Sequence, residues 1–218
     1  MPTGAIRRAV WLLLDLARHH DFILIEDDYE FEMNFLEPAT PVLESRDRDG
    51  RVIYVGSLSK SVFPGLRLGY LVAPKQSIEQ VRALGCLILR HPPGHAQRTL
   101  AYFMALGHYD AQIRRLRRHL DGRRQVLQAA LDHHQLFSHT ASHFGGASFW
   151  IKGPGCLDSR ALTDRAAEMG VLIEPREVFF QPGAGQYNYF RLAYSSIGES
   201  QIAKGIGWLA VAVETLRP

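Results

Sequence analysis

Two short apolar runs, each ending abruptly in polar residues, most constrain how this chain can fold. Phe22–Ile25 runs straight into Glu26, Asp27 and Asp28, and Arg51–Gly56 runs into Ser57-Leu58-Ser59-Lys60. Runs this short and apolar suit strands buried on both faces, as in a parallel sheet. Polar groups just beyond such strands are where open α/β sheets bind ligands. A third run, Leu66–Val72, follows across Pro64-Gly65 with no room for a crossover helix. It is therefore expected to return antiparallel or to join a mixed sheet.

The remaining periodicities place helices around these strands. Ala5–His19 carries an apolar stripe of Ile6, Val10, Leu13, Leu14 and Ala17. Ser77 to about Leu106 is helical with a break at His91-Pro92-Pro93-Gly94, and a long helix runs from about Ala111 to His133. Beyond it, Ala147–Ile151, Val171–Ile173 and Asn188–Tyr194 read as strands, with helices at Ser159–Met169 and Glu199–Val213. The order β, α, β, β, α describes a small α+β domain following an α/β part. The boundary is expected near residue 112, giving parts 1–112 and 113–218.

Composition excludes several classes. Hydrophobic residues make up 46% and charged residues 22%, the balance of a soluble globular protein. No stretch of about 18 uncharged apolar residues exists, and no secretory signal is visible, so no membrane partner and a cytoplasmic location are expected. Cys86 and Cys156 lack metal-site spacing and are expected to be small buried hydrophobes in a reducing compartment. The arginines at 114, 115, 117, 118, 123 and 124 share a helical stretch with Ile113, Leu116, Leu120, Val126 and Leu127. A solvated helix face is the simpler reading of that cluster than a nucleic-acid surface. Glu26, Asp27 and Asp28 could hold Mg²⁺ for phosphoryl transfer, but no GxxxxGK[ST] loop accompanies them. Gly56-Ser57-Leu58-Ser59 lacks the closing glycine of a hydrolase GxSxG.

A lysine after a strand is usually a solvated surface residue, but the neighbours of Lys60 change that expectation. Ser57 and Ser59 offer hydroxyl donors, and Arg67 offers a planar fork suited to a phosphate dianion. Asp27 and Tyr29 follow the previous strand, and residues two apart project to one side while the chain stays extended. Pyridoxal 5′-phosphate (PLP) requires these groups. The lysine amine condenses with the aldehyde, and an incoming amino acid displaces it. A carboxylate at the pyridine nitrogen keeps the ring protonated as an electron sink. The phenol can donate to the ring 3-oxygen, and the freed lysine can move the substrate's α-proton.

Ser57-Leu58-Ser59-Lys60-Ser61-Val62-Phe63-Pro64-Gly65-Leu66-Arg67-Leu68-Gly69-Tyr70 resembles the cofactor-lysine segment of fold-type I PLP-dependent aminotransferases. The resemblance implies a Schiff base on Lys60 and a phosphate held by Ser57 and Arg67. Ile25-Glu26-Asp27-Asp28-Tyr29-Glu30 resembles the segment that supplies the ring-nitrogen aspartate and the phenol. Asp27 matches that aspartate, with Asp28 the alternative, because Tyr29 follows Asp27 by two positions where many aminotransferases use three. The two-residue spacing is similar to MocR-type regulators of the GntR family, whose C-terminal half is aminotransferase-like. Asn188-Tyr189-Phe190-Arg191-Leu192-Ala193-Tyr194 resembles the strand whose arginine grips a substrate carboxylate. An internal ion pair with a Glu or Asp is the other reading of Arg191. Gly170–Pro175 and Gly145–Trp150 also resemble small-domain segments of this group.

The resemblance implies an α/β fold: part of the large domain of the aspartate aminotransferase-like PLP transferases, with a mostly parallel mixed sheet, then a small α+β domain. Pro2-Thr3-Gly4 resembles a mid-domain segment, so the resemblance implies that the phosphate loop and ring-stacking aromatic of relatives are not expected within these residues. Weak PLP binding and little transamination are therefore expected of these 218 residues. The function implied is a PLP-binding sensor of an amino acid or 2-oxo acid in a MocR-type regulator. The alternative is a fragment of a free-standing aminotransferase acting on such compounds. A homodimer is implied for the full-length protein, with DNA contacted only through an upstream domain.

Overall fold

The computed structural model describes residues 3–37, 41–135, 137–142, 145–181 and 187–216; Pro2 and the Ile6 side chain lie outside the described set. The chain forms two compact units, Met1–Glu32 with Pro38–Arg114, and Met33–Glu37 with Arg115–Pro218.

In the first unit, helix α1 (Thr3–His19) leads into strands β1 (Leu24–Asp28), β2 (Val52–Ser57) and β3 (Gly69–Val72). Helices α2 (Lys75–Leu89) and α3 (Gly94–Ala105) follow, then α4 (His108–His134), which continues into the second unit. β1 pairs parallel with β2, from Leu24 opposite Val52 to Asp28 opposite Gly56. β2 pairs antiparallel with β3, ending with Ser57 opposite Gly69. The sheet is therefore mixed, as the short 58–68 connection requires.

Asp47 starts β2. Its carboxylate accepts the backbone N–H groups of Asp49 at 3.0 Å, Arg51 at 2.5 Å and Val52 at 2.8 Å, fixing the turn into the strand. Burial then alternates along β2, with Val52, Tyr54 and Gly56 buried and Ile53, Val55 and Ser57 partly open. Side chains opposite one another in register share a face. Glu26 and Asp28 thus lie on the Tyr54 face, while Ile25 and Asp27 share the more open face of Ile53 and Val55.

This corrects the expectation of strands buried on both faces. The first strand starts two residues later than the apolar run and takes the acidic residues into itself, and Ile25 is 72% exposed. Trp11, Leu12 and Leu16 on α1, and Leu84, Leu87 and Ile88 on α2, are exposed as well. Cys86 and Cys156 are also exposed, not buried; for Cys86 the reason is that α2 buries none of its residues.

The second unit holds the main core. Strands β4 (Ser138–Ser142), β5 (Gly145–Lys152), β6 (Glu174–Pro175) and β7 (Tyr189–Ala193) form a sheet in the order β4-β5-β7-β6. All its pairings are antiparallel. Helix α5 (Ser159–Glu168) is capped by Asp158, whose side chain accepts the Arg160 N–H at 2.9 Å. Helix α6 (Glu199–Thr215) buries Ile202, Ile206, Leu209 and Val213, a helical stripe. They join a cluster that includes the fully buried Phe149 and Phe190. Burying such a side chain stabilises by about 1.5–3 kcal/mol.

Three sequence expectations change here. β4 was not expected, because Ser-His-Thr-Ala-Ser carries no apolar alternation and is a strand only through its pairing with β5. The strand expected at Val171–Ile173 is the two-residue β6, because the backbone pairs only at Glu174 and Pro175 and Leu172 is 85% exposed. The arginine cluster is only partly a solvated face. Arg114 and Arg118 are exposed, whereas Arg123 donates to the Ser195 carbonyl and Arg124 stands 5.8 Å over the Phe149 ring.

Candidate functional site

Lys60 sits in a single tight turn just past the carboxyl end of β2. The Val62 N–H donates to the Leu58 carbonyl at 3.0 Å, and Leu58 and Ser61 are buried on either side. Those two anchors leave Lys60 facing outward. Its ammonium lies 2.5 Å from Glu30 Oε1 and 4.2 Å from the centroid of the Tyr29 ring. The segment after β1 and the turn after β2 therefore meet at this lysine, which is the geometry parallel neighbours impose at their carboxyl ends.

Ser57 and Arg67 bracket the same loop. The Ser57 hydroxyl accepts the Ser59 N–H at 3.3 Å, leaving its own O–H free to donate. The loop is closed by the Ser57–Gly69 pairing and by the Leu58 N–H bonding the Leu68 carbonyl at 3.0 Å. A Cβ on Gly69 would come within 2.7 Å of the Gly56 carbonyl oxygen, so glycine permits this closure. Arg67 is exposed and has φ 50° and ψ 40°, the left-handed region, which costs a non-glycine residue about 1–2 kcal/mol. Asp21, Arg90 and Gln135 also have positive φ, so this backbone conformation is not confined to the Lys60 loop.

The three carboxylates of β1 have separate fates. Glu26 accepts the N–H groups of Leu43 at 2.8 Å and Glu44 at 3.1 Å, and so holds the turn that precedes β2. Asp28, on the same face, has its carboxyl raised above the ordinary carboxylate range, first by burial and then by the charge of Glu26. Asp27 projects to the other face, shared with Val55 and Ser57, and its carboxylate has no hydrogen-bond partner among the described residues. This alternation splits the acidic trio that a Mg²⁺ site would need to bring together, and it puts Asp27 rather than Asp28 on the Ser57 face.

Arg191 belongs to the second unit, on β7. In register it stands opposite Glu174 of β6 on one side and Trp150 of β5 on the other. Its Nε donates to the Glu174 carboxylate, and its guanidinium lies 5.4 Å from the Phe179 ring centroid. Trp150 in turn contacts Phe179 at 5.4 Å and Phe180 at 5.9 Å. Glu30 and Glu174, the partners of Lys60 and Arg191, received no role in the sequence reading. Both lie inside segments singled out there, but their pairing depends on strand register, which the sequence does not display.

Comparison with known proteins agrees with this geometry. The family described as aminotransferase class I and II matches residues 2–207. The HTH-type transcriptional regulator TauR of Rhodobacter capsulatus is 52% identical over 92% of this chain. A probable rhizopine catabolism regulatory protein, MocR of Rhizobium meliloti, is 30% identical over 92% of it. The chain spans 42% of the first relative's length and 41% of the second's. Among solved structures, Pyrococcus horikoshii kynurenine aminotransferase, in a complex containing PMP, superposes with a TM-score of 0.85 at 27% identity. That match covers 94% of this chain and 51% of the enzyme's. With Lys60 turned out beyond two parallel strands in a fold-type I arrangement, the chain belongs to the aminotransferase class I and II family.

Proposed function

We propose that this chain is the PLP-binding, amino-acid-sensing part of a MocR-type transcriptional regulator. The observation that carries the reading is the meeting of Lys60 with Tyr29 at the carboxyl ends of parallel β1 and β2, with Asp27 on the Ser57 face. The donor set fits the cofactor: an amine, a hydroxyl and a guanidinium on one loop, and a carboxylate on the adjoining strand. PLP, when bound, supplies an electron sink for chemistry at the substrate's α-carbon.

The residues divide that work. Lys60 is the covalent attachment point and moves the proton once displaced. Ser57 and Arg67 hold the phosphate, Arg67 through its forked donors. Asp27 holds the ring nitrogen protonated, and Tyr29 donates its phenol to the ring oxygen. Arg191 anchors the acid group of an amino acid or 2-oxo acid. The full-length protein works as a homodimer, and DNA is contacted through a further domain of the kind the HTH-type relatives' names describe. The likeness to kynurenine aminotransferase over half that enzyme supports a second reading, a fragment of a free-standing aminotransferase.

Borohydride reduction of the chain after PLP addition tests the first step. The modified peptide is expected to contain Lys60, and Lys60→Ala is expected to abolish the trapped product. Equal modification at Lys75, Lys152 and Lys204 would remove the proposal's basis. Transamination of common amino acids by the full-length protein would favour the second reading.

A further inference from the structure

We propose that Glu174 is an internal competitor for the ligand's acid group, holding Arg191 until a carboxylate or sulfonate takes its place. The inference rests on the reading of Arg191 as the acid anchor and adds what controls that anchor. The Arg191 guanidinium carries two restraints of different kinds. One is the Glu174 carboxylate bound at Nε, and the other is the Phe179 ring, whose centroid lies 5.4 Å from the guanidinium carbon. The ring contact does not involve Glu174, so it remains available to the guanidinium when the carboxylate leaves.

The pair is built to exchange. Glu174 belongs to a two-residue strand at the sheet edge, and the two side chains remain 34% and 46% exposed. Ion pairs with that much solvent are weak, so a second anion displaces one at a cost of about fivefold or less in affinity. A buried pair would instead resist exchange. The pairing also neutralises the site: an incoming acid group meets a guanidinium already compensated by one carboxylate. Neutral analogues of the ligand would gain nothing from Arg191, so Glu174 determines how strongly the acid group is felt.

The test uses the whole chain without PLP and reads Arg191 directly. Propionate and methanesulfonate are titrated against ¹⁵N-labelled protein, with the Arg191 Nε–H resonance assigned by its loss in Arg191→Lys; propionamide is the neutral control. In Glu174→Gln both anions are expected to bind about 1.5- to fivefold tighter than in the wild type, with propionamide unchanged. Glu174→Ala replaces the Gln variant if circular dichroism shows that the latter has not folded. In the wild type, saturating propionate is expected to move the Nε–H resonance, because the Glu174 bond is exchanged.

Anion binding that depends on Arg191 but differs less than about 1.5-fold between wild type and the Glu174 variants overturns the competitor role and leaves the anchor standing. Binding that ignores Arg191 in every variant removes the anchor, and the competitor with it. A wild-type Nε–H resonance that stays fixed at saturation also overturns the exchange, whatever the variants do. None of these readouts involves Lys60, so failure of the PLP reading is separately visible.

Discussion

Lys60 and Glu30 form an ion pair of 2.5 Å between the turn after β2 and the segment after β1. The pair holds the lysine nitrogen against Glu30, so it must open before that nitrogen can reach an aldehyde. With side chains 42% and 31% exposed, the attraction is screened and holds the lysine by about 0.2–1 kcal/mol. Glu30→Gln is expected to capture PLP about two- to fivefold faster, as measured by the borohydride-trapped fraction against time. A slower capture would mean that Glu30 assists the reaction rather than restraining the amine.

Arg67 separates stability from binding. Its left-handed backbone is strained for any residue with a Cβ, and its exposed side chain contributes little packing. Arg67→Gly is expected to leave the fold unchanged or stabilise it by up to about 1 kcal/mol in urea titration. The same variant is expected to weaken PLP while leaving binding of pyridoxal, which has no phosphate, unaltered. Equal losses for both compounds would show that Arg67 shapes the loop instead of meeting phosphate.

How far the sequence discloses this arrangement depends on the range of the interaction involved. Lys60, Ser57 and Arg67 lie within one short loop, and their types and spacing are enough to mark it. The helices were equally readable, because an apolar stripe such as Ile202, Ile206, Leu209 and Val213 is a local pattern. β4 escaped because its polar residues become a strand only by pairing with β5. The open face carrying Ile25 escaped for a different reason: an apolar residue in a strand states that it can be buried, not that anything covers it. Which faces Asp27 and Asp28 occupy became visible only with the register of β1 on β2, which sets Asp27 opposite Val55 and Asp28 opposite Gly56. Glu174 became visible only once register set it opposite Arg191.

Two aspartates of the first unit give pH dependences of opposite sign. Burial alone would raise the Asp47 carboxyl, but the N–H groups of Asp49, Val52, Arg51 and Gly50 outweigh it and bring it below the ordinary value of 3.8. A lowered folded-state value means stability that is present above the unfolded value and lost as pH falls through the folded one. Asp47→Asn is therefore expected to destabilise at about pH 7 by roughly 1 kcal/mol, with the difference shrinking in acid. Asp28 is raised by burial and by Glu26, so the folded chain disfavours its ionised form. Its effect is reversed: stability falls as pH rises from 3.8 through the folded value, and the loss persists at neutrality. Asp28→Asn should raise the melting temperature at neutral pH and make no difference in strong acid. If instead the Asn variant melts lower at neutral pH, the Asp28 carboxylate is a needed acceptor and its place on the covered face of β1 is not the cost assigned to it.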